Sequence, residues 1–460
     1  MKTWNFTFIV FSLSLSICVA AQEKIMVVKA GQIIDGTGGA PIENGVVVVR
    51  GDTIAAVGPA SRVAIPSGAE VIDLEGETLL PGLIDTHTHL SLRYGIDVGV
   101  GVEGLVGQLM QPDAIQMLRI VRNARVQLLC GITTSRMTGE AHWNDLHLRD
   151  AIREGMVPGP RLILGGPIIT PTGGHFVDPK YWVDSPWEAR RQVRENFHHG
   201  SEWIKVTLID RSPEATMFTL EELEAVVDEA HRLGIKVTVH ATGRWGSSMK
   251  TAILAGADNI EHARPMTDEI IQMMVEHGTT VSFTPLVYVG LRPDKSTWKF
   301  MDTGAKAPGD WIDYGRQQYF DYRKENPDAE TVDRDYQDNE ANRAGRDFFP
   351  SIRTQQSQAL AAHRAGVPLS LGLDTLYYGG IGNSIEFLIE GGFPPMDAIR
   401  AATAVAAQNL GYGDRLGTLE VGKRADMISL RADPLTQRWA WNRIHFVMRD
   451  GVRYDGLSWN

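Results

Sequence analysis

Two histidines stand two positions apart in "LLPGLIDTHTHL", residues 79 to 90. Side chains at positions i and i+2 of a β-strand point to the same face, so His87 and His89 would project side by side. Paired imidazoles of this kind suit a zinc ion. The pattern predicts two metal ligands at the end of an apolar strand, and the alternative is two polar residues where a strand runs into a loop. Asp85, just before the pair, is expected to shape the strand end rather than to bind metal.

Four more polar or ionisable residues stand in or at the ends of other apolar runs. They are Lys205 in "WIKVTLID", His240 in "KVTVHATG", His262 in "NIEHAR" and Asp374 in "PLSLGLDT". Any one of them alone could be a hydrogen-bonded core residue, and Lys205 could be paired with an acid. Because all six recur in equivalent places along the chain, we expect them to meet at one metal site.

Two residues are candidates for binding substrate. His175 follows the third apolar run, where it would touch a substrate carbonyl or carboxylate, or else hold its loop in position. Arg264 comes two residues after His262. It would bind an anionic group of the substrate or pair with an acid at the surface.

Apolar runs alternate with helix-like segments across residues 81–412. One such segment is "TLEELEAVVDEAHRLG", in which Thr219 and Glu222 are spaced as a capping box and Gly234 is placed to end the helix. Eight strand-like runs in this alternation predict a (β/α)₈ TIM-type barrel of the α/β class. Active sites of such barrels lie at the carboxyl ends of the strands, which is where most of the candidate ligands fall.

The two ends of the chain look different from its middle. Residues 25–80 and the last part of the chain contain short β-branched runs separated by Gly, Asn and Asp turns, which is typical of antiparallel strands. We therefore expect residues 22–80 and 413–460 to form one small β-sandwich domain, and residues 81–412 to form the hydrolase barrel.

Residues 1–21 have the pattern of a signal peptide: Lys2, then an apolar run, then Ala20 and Ala21. The pattern predicts an exported protein, periplasmic or secreted, with no membrane span after cleavage. Lipidation at Cys18 is not expected, because the preceding Ile17 is larger than the usual lipoprotein pattern allows.

The composition excludes some classes of partner. The formal net charge is −11, whereas a nucleic-acid-binding surface needs an excess of basic residues. With 43% hydrophobic and 22% charged residues the chain is otherwise ordinary for a globular protein. These values leave a small-molecule substrate as the expected partner.

Taken together, these motifs resemble the amidohydrolase superfamily over nearly the whole chain after residue 21. "PGLIDTHTHL" opens the barrel and "GTLEVGKRADMISL" follows it. Within that superfamily the chain is similar to the branch of metal-dependent amidases that includes prolidase-like and Xaa-basic dipeptidases and imidazolonepropionase relatives. "GPRLILGGPIITPTGGH", residues 159 to 175, is the stretch most suggestive of that branch.

The resemblance implies a binuclear zinc centre made by the six candidate ligands. It assigns His87, His89 and Asp374 to one zinc ion, His240 and His262 to the second, and Lys205, carboxylated by CO₂, to both. A carbamate has two anionic oxygens, one for each metal, whereas a cationic lysine would be repelled by them. By the same resemblance a metal-bridging hydroxide attacks the scissile carbonyl, and Asp374 acts as general base and then general acid.

The resemblance implies a hydrolase that cleaves a C–N amide bond of a dipeptide or an N-acyl amino acid. The alternatives are hydrolysis of a cyclic amide, a lactone or an organophosphate ester at the same metals, or a metal-binding barrel without catalysis. Thr242 departs from the close dipeptidase relatives, which usually have a histidine there, and this puts transfer of a particular specificity in doubt. Homo-oligomers are common among such barrels, so one is possible here.

Overall fold

The structure of the chain is a computed structural model. It describes residues 24–91, 111–174, 179–285, 352–374, 380–437 and 440–454. The predicted signal peptide, His175 and the polar segment 289–340 lie outside these residues. Among the described residues, no helix is both long enough and apolar enough to span a membrane.

The chain starts with four strands rich in β-branched residues. They are β1 (Ile25–Ile33), β2 (Ile42–Arg50), β3 (Thr53–Pro59) and β4 (Glu70–Pro81). Strands β1 and β2 are antiparallel, and β1 and β4 are parallel. Met26 and Val28 of β1 lie in one core with Val47 and Val49 of β2, as the two-residue period of a strand requires.

All eight apolar runs that were predicted as strands are strands in the structure. They are β5 (Leu83–Thr88), β6 (Ile132–Met137), β7 (Arg161–Leu164), β8 (Trp203–Ile209), β9 (Lys236–Thr242), β10 (Asn259–Arg264), β11 (Thr280–Phe283) and β12 (Leu369–Leu371). They form two parallel sheets, in the orders β5-β6-β7 and β12-β11-β10-β9-β8.

Isolated bridges join these two sheets at both edges. A parallel bridge pairs Ile169, just after β7, with Val206 of β8, and another pairs Thr88 of β5 with Asp374, just after β12. The amides of Leu373 and Asp374 both donate to the carbonyl of His87, at 3.1 and 2.7 Å. Strand β12 thus lies directly beside β5, although the two are far apart in the sequence.

Helices follow or precede these strands along the chain. The described ones are α1 (Asp113–Leu129), α2 (Asn144–Arg153), α3 (Pro186–His198), α4 (Leu220–Arg232), α5 (Ser247–Leu254), α6 (Asp268–His277), α7 (Ile352–Arg364), α8 (Ile381–Glu390), α9 (Pro395–Ala401) and α10 (Ala404–Leu410). The capping box of Thr219 and Glu222 at the start of α4 is confirmed.

Alternation along β8 decides which side chains face the candidate site. Ile204, Val206 and Leu208 belong to the same hydrophobic cluster as Leu223 and Val226 of helix α4. Successive strand residues point to opposite faces, so the residues between these, Lys205 among them, point away from the helices. The local pattern of apolar residues therefore turns Lys205 into the interior.

The last strands return to the first sheet. They are β13 (Met427–Leu430), β14 (Ile444–Arg449) and β15 (Val452–Arg453), and the sheet order is β15-β14-β13-β4-β1-β2-β3. Strands from residues 25–81 and 427–453 thus share this one seven-stranded sheet, and the division of the chain into a composite domain and a barrel stays a prediction. Hydrogen bonding joins all seven strands, so the arrangement as a sandwich of two sheets stays a prediction.

Arg161, at the start of β7, links the seven-stranded sheet to the parallel strands. Its guanidinium donates to the carboxylates of Asp426, just before β13, and Asp450, just after β14, which lie side by side at one end of this antiparallel pair. The carbonyl of Asp426 also accepts from the amide of Gly82, at 3.0 Å. The start of the parallel strands is therefore fastened to the sheet that the chain ends form.

Candidate metal centre

The carboxyl ends of β5, β10 and β12 bring three of the predicted ligands together. Side-chain donor atoms of His87, His262 and Asp374 all lie within 4.8 Å of one another, and the three residues are buried. The Nε2 atoms of His87 and His89 are 3.2 Å apart, and each is 3.7 Å from Oδ1 of Asp374. The imidazoles of His87 and His89 and the carboxylate of Asp374 therefore lie close together, and these are donor types that zinc prefers.

His240 extends the cluster on the other side of His262. Their ring centroids are 4.5 Å apart, and the centroids of His87 and His262 are 4.7 Å apart. All four histidines are at most 6% exposed. The structure thus brings the four predicted histidines together as a continuous buried row.

Each of these histidines is hydrogen-bonded through one ring nitrogen to a group outside the row. The pairs are His87 Nδ1 with Glu261 Oε2 at 2.6 Å, His89 Nδ1 with the Gly139 carbonyl at 3.1 Å, His240 Nε2 with Thr242 Oγ1 at 2.9 Å, and His262 Nδ1 with Thr284 Oγ1 at 2.6 Å. In metal sites such contacts fix the ring orientation and direct the other nitrogen to the metal. Thr242, where the close dipeptidase relatives usually have a histidine, is thus the hydrogen-bond partner of His240.

Lys205 is buried at 1% exposure in the same region. Among the described residues its Nζ has no hydrogen-bond partner. Burial lowers the pKa of Lys205 below its usual range, against the opposing attraction of Glu261 and Asp374. An ammonium or amine without a partner is costly in the interior, so the donor set around Lys205 suits a carbamate that holds metal better than it suits an unmodified lysine.

Asp374 has the opposite shift. Burial raises the pKa of its carboxyl, while Lys205 and Arg264 oppose that shift electrostatically. Its backbone φ is +61°, in the left-handed region that residues other than glycine rarely adopt. Such strain is commonly found at functional sites, where the surrounding structure holds it.

Asp85 shapes the strand end through hydrogen bonds, as expected. Its Oδ1 accepts from the amides of His87 and Leu373, at 3.1 and 3.0 Å, and its Oδ2 accepts from Gln127 at 2.8 Å. Glycine at position 372 makes the close approach of the two segments feasible, because a Cβ there would lie 2.6 Å from that of His87. Asp85 therefore ties the strand of the first two ligands to the segment that carries Asp374.

A bulge in β10 directs two consecutive side chains to the same interior. The pairing with β9 is interrupted between Glu261 and Arg264, and His262 and Ala263 have φ of +66° and +54°. In a regular strand Glu261 and His262 would point to opposite faces. The bulge instead lets Glu261 bond to His87 while the ring of His262 lies beside the same histidine.

The substrate-binding roles of the two candidate residues stay predictions. His175 lies outside the described residues. Arg264 is only 3% exposed and donates to the carbonyl of Thr284 at 3.2 Å, so it is not the surface side chain that an ion pair with a surface acid would require. The charge of Arg264 also opposes the rise that burial causes in the pKa of the Asp374 carboxyl.

Two residues of the site were not found by reasoning from the sequence. Glu261 and Arg136 form a buried ion pair of 2.6 Å directly behind His87, and neither is more than 1% exposed. The signal that could have found them is a charged residue inside each of two apolar strands, "ITTSRM" and "NIEHAR".

Comparison with known proteins identifies the family. The model of the amidohydrolase family matches residues 78–453. The chain belongs to this family. Its fold neighbours in the family imply a TIM-barrel-type α/β fold. The family generally uses metal ions, and the group of His87, His262 and Asp374 is a candidate for binding one.

Individual relatives place the chain among the amidases of the family. Ochratoxinase from Aspergillus niger is 27% identical over 457 residues, covering 92% of this chain and 84% of the relative. Imidazolonepropionase from Caldanaerobacter subterraneus is 22% identical and covers 89% of each chain. A solved Xaa-Pro dipeptidase with bound methionine has a TM-score of 0.73 and 26% identity, covering 94% of this chain and 100% of that one. The protein is accordingly a hydrolase that acts on carbon–nitrogen bonds of small molecules.

Proposed function

We propose that this protein is an exported, binuclear metal-dependent amidase that cleaves the C–N bond of a dipeptide or an N-acyl amino acid. The observation that carries the proposal is the buried row of four histidines with Asp374 against it and Lys205 in the same interior. Export rests on the signal-peptide pattern of residues 1–21. The bridges at both edges of the parallel sheets support a closed eight-stranded barrel around the site.

The side chains fit a pair of divalent metal ions, which we take to be Zn²⁺. His87, His89 and Asp374 would hold one ion, His240 and His262 the other, and a carbamate on Lys205 would contact both. The fit rests on two features: the imidazole and carboxylate donors converge, and the buried Nζ of Lys205 has no hydrogen-bond partner among the described residues. The lowered pKa of Lys205 favours the neutral amine, which is the form that adds to CO₂.

Bound metals supply Lewis acidity, which polarises a carbonyl and makes water more acidic. The residues of the chain do the rest. Asp374 accepts a proton from the attacking water and returns it to the amine that leaves. Burial raises the pKa of this carboxyl, so its affinity for a proton is greater than that of an ordinary aspartate. The buried histidines and the bulged strand hold the donors in place and limit the access of bulk water.

The dipeptide or N-acyl amino acid class is supported by the relatives. Both the Xaa-Pro dipeptidase and the ochratoxinase cover most of the chain. The metal site alone does not select among amides, because the same activated water attacks cyclic amides and esters as well.

The test is release of amine by residues 22–460, loaded with zinc in the presence of bicarbonate, from a library of dipeptides and N-acyl amino acids. Cleavage of compounds that share one C-terminal residue is the expected result, and it would define the specificity. A protein that binds about two metals per chain but cleaves none of the library would overturn the proposed substrate class. Cyclic amides and esters would then be assayed. A protein that binds no zinc would overturn the metal centre itself.

A further inference from the structure

Glu261 connects the first predicted ligand to a buried arginine. Its Oε2 lies 2.6 Å from Nδ1 of His87, and its Oε1 lies 2.6 Å from Nη2 of Arg136. The hydroxyl of Thr238 also donates to Oε1. The two carboxylate oxygens therefore have different partners: Oε2 contacts His87, and Oε1 contacts the cation Arg136.

Arg136 is itself held on several sides. Its Nε donates to the carbonyl of Thr86 at 2.8 Å, and its Nη2 also donates to Ser282 at 3.0 Å. The guanidinium lies 4.4 Å from the centroid of the Trp203 ring. A guanidinium has donors only, so it requires an acceptor at the position of Oε1.

We propose that Glu261, held by Arg136, is a positioning residue that fixes His87 in the tautomer with its hydrogen on Nδ1. An ionised carboxylate only accepts, so the ring nitrogen facing it must donate. The second nitrogen, Nε2, then has the lone pair that binds metal, and it is the one that lies 3.2 Å from Nε2 of His89. The inference rests on the proposed metal-dependent function, because its consequence is the affinity of the first metal position.

The cost of this ion pair supports a role other than stability. Replacing a buried ion pair by apolar side chains of similar volume is often neutral or stabilising. This pair is entirely buried, and Glu261 lies in the regularly paired part of β10, where Ile260 before it packs in the hydrophobic cluster and Glu261 points to the opposite, interior face. A purely structural function does not need the acceptor to face a ring nitrogen of His87.

The deciding variant is Glu261→Gln, which keeps the size and changes one oxygen to an amide nitrogen. Arg136 needs an acceptor, so it will select the orientation in which the amide oxygen faces the guanidinium. The amide NH₂ then donates to Nδ1 of His87 and moves the ring hydrogen to Nε2. We expect the affinity of the first metal position to fall about 10- to 100-fold, since loss of such a partner typically has this effect.

The double variant Glu261→Gln with Arg136→Met tests whether Arg136 sets the orientation of the amide at position 261. Without the guanidinium, the amide can turn its oxygen toward His87, and the Thr238 hydroxyl can rotate to accept from the NH₂ group. We expect the double variant to recover part of the metal affinity that the single variant loses. A purely structural role predicts the reverse, because the second substitution removes further hydrogen bonds.

Two readouts do not depend on hydrolysis. Nitrogen-15 NMR of histidine-labelled, metal-free protein reports which ring nitrogen of His87 has the hydrogen. Chelator competition with zinc then measures both metal affinities. Glu229→Gln is the matched control, because Glu229 is also buried and bound to arginines, but it lies in helix α4. It should leave both readouts unchanged.

The expected result is hydrogen on Nδ1 in the wild type, on Nε2 in Glu261→Gln, and on Nδ1 again in the double variant. A wild-type His87 with its hydrogen on Nε2, or a Glu261→Gln protein with unchanged metal affinity, would overturn the inference while leaving the proposed amidase intact. A wild type that binds no zinc would overturn the proposed function instead. The NMR measurement on metal-free protein would still test the tautomer in that case.

Discussion

Two buried glutamates of this molecule, Glu261 and Glu229, have arginine partners and opposite surroundings. Inside the parallel strands, one carboxylate oxygen of Glu261 contacts the buried Arg136, and the other oxygen faces His87. On the outer layer, Glu229 in α4 contacts Arg190, Arg194 and Arg232, whose side chains are 24%, 56% and 58% exposed. Both ions of the Glu261–Arg136 pair are removed from water, whereas the three arginines around Glu229 remain partly exposed to it.

The difference in solvation suggests different roles for the two glutamates: Glu261 orients a side chain of the site, and Glu229 stabilises the fold. Exposed arginines form the outer network at little desolvation cost, so Glu229 can stabilise the packing of α3 against α4. The inner pair must overcome the desolvation of both ions, and its distinct feature is the ring nitrogen that it faces. We therefore expect substitutions inside the strands to change metal binding and hydrolysis, and substitutions in the outer layer to change stability.

The largest effect is expected for Asp374→Asn. The amide cannot accept the proton of the attacking water, so kcat should fall by about 10²- to 10⁴-fold. Rates of the zinc-loaded variant and of Glu229→Gln, each corrected for metal content, measure this directly. An unchanged rate for Asp374→Asn with metal bound would remove the assignment of the proton acceptor.

Lys205→Met should lower zinc content and hydrolysis while making the metal-free protein more stable. The variant replaces a buried Nζ that has no hydrogen-bond partner among the described residues with an apolar side chain of similar length. Removing a group of this kind is expected to raise the free energy of unfolding by about 1–3 kcal/mol. Denaturant unfolding of both proteins in chelator measures the difference. A less stable metal-free variant would mean that Lys205 is a structural residue.

Glu229→Gln should reduce stability by about 1 kcal/mol at pH 7 and leave the rate per bound metal unchanged. Hydrogen bonds from Arg194 and Arg232 lower the pKa of Glu229 to about 2. A lowered pKa means that the carboxylate stabilises the fold above its ordinary pKa of 4.5, and that this contribution is lost as the pH falls from there toward 2.

Thermal midpoints of the wild type and of Glu229→Gln, compared at pH 7 and pH 3, test that sign. The gap between the two proteins should be wider at pH 7 and narrower at pH 3. A gap of constant size would show that the three arginines do not stabilise the ionised form, and the contrast between the two glutamates would then be lost.

The sequence predicts the strands and the ligand positions for a local reason. Each of the eight runs is apolar, and His87, His240 and His262 mark the places where their strands end or bend. Lys205 points to the interior because Ile204 and Val206, which flank it, pack in the hydrophobic cluster on the other face of the strand. These features require only the period of a strand and the rule that barrel sites lie at carboxyl ends.

The missed residues depend on contacts between distant segments. Glu261 stands next to His262, and strand alternation predicts that it faces away from the site. The left-handed backbone of His262 and Ala263 instead turns His262 to the side that Glu261 already faces, and neither residue is a glycine that would signal such a conformation. Arg136 comes from another strand, so its partner could not be read from the local sequence.

The position of β13 has a consequence for how the chain folds during synthesis. Strand β4 is hydrogen-bonded on one side to β1 and on the other to β13, with Leu80 paired to Ile428. Strand β13 is synthesised only after all eight parallel strands. Until then the nascent protein has an unpaired strand edge beside an incomplete apolar layer, which is a template for association with other chains. We therefore expect the time that translation takes from β4 to β13 to set the demand of this protein for chaperones.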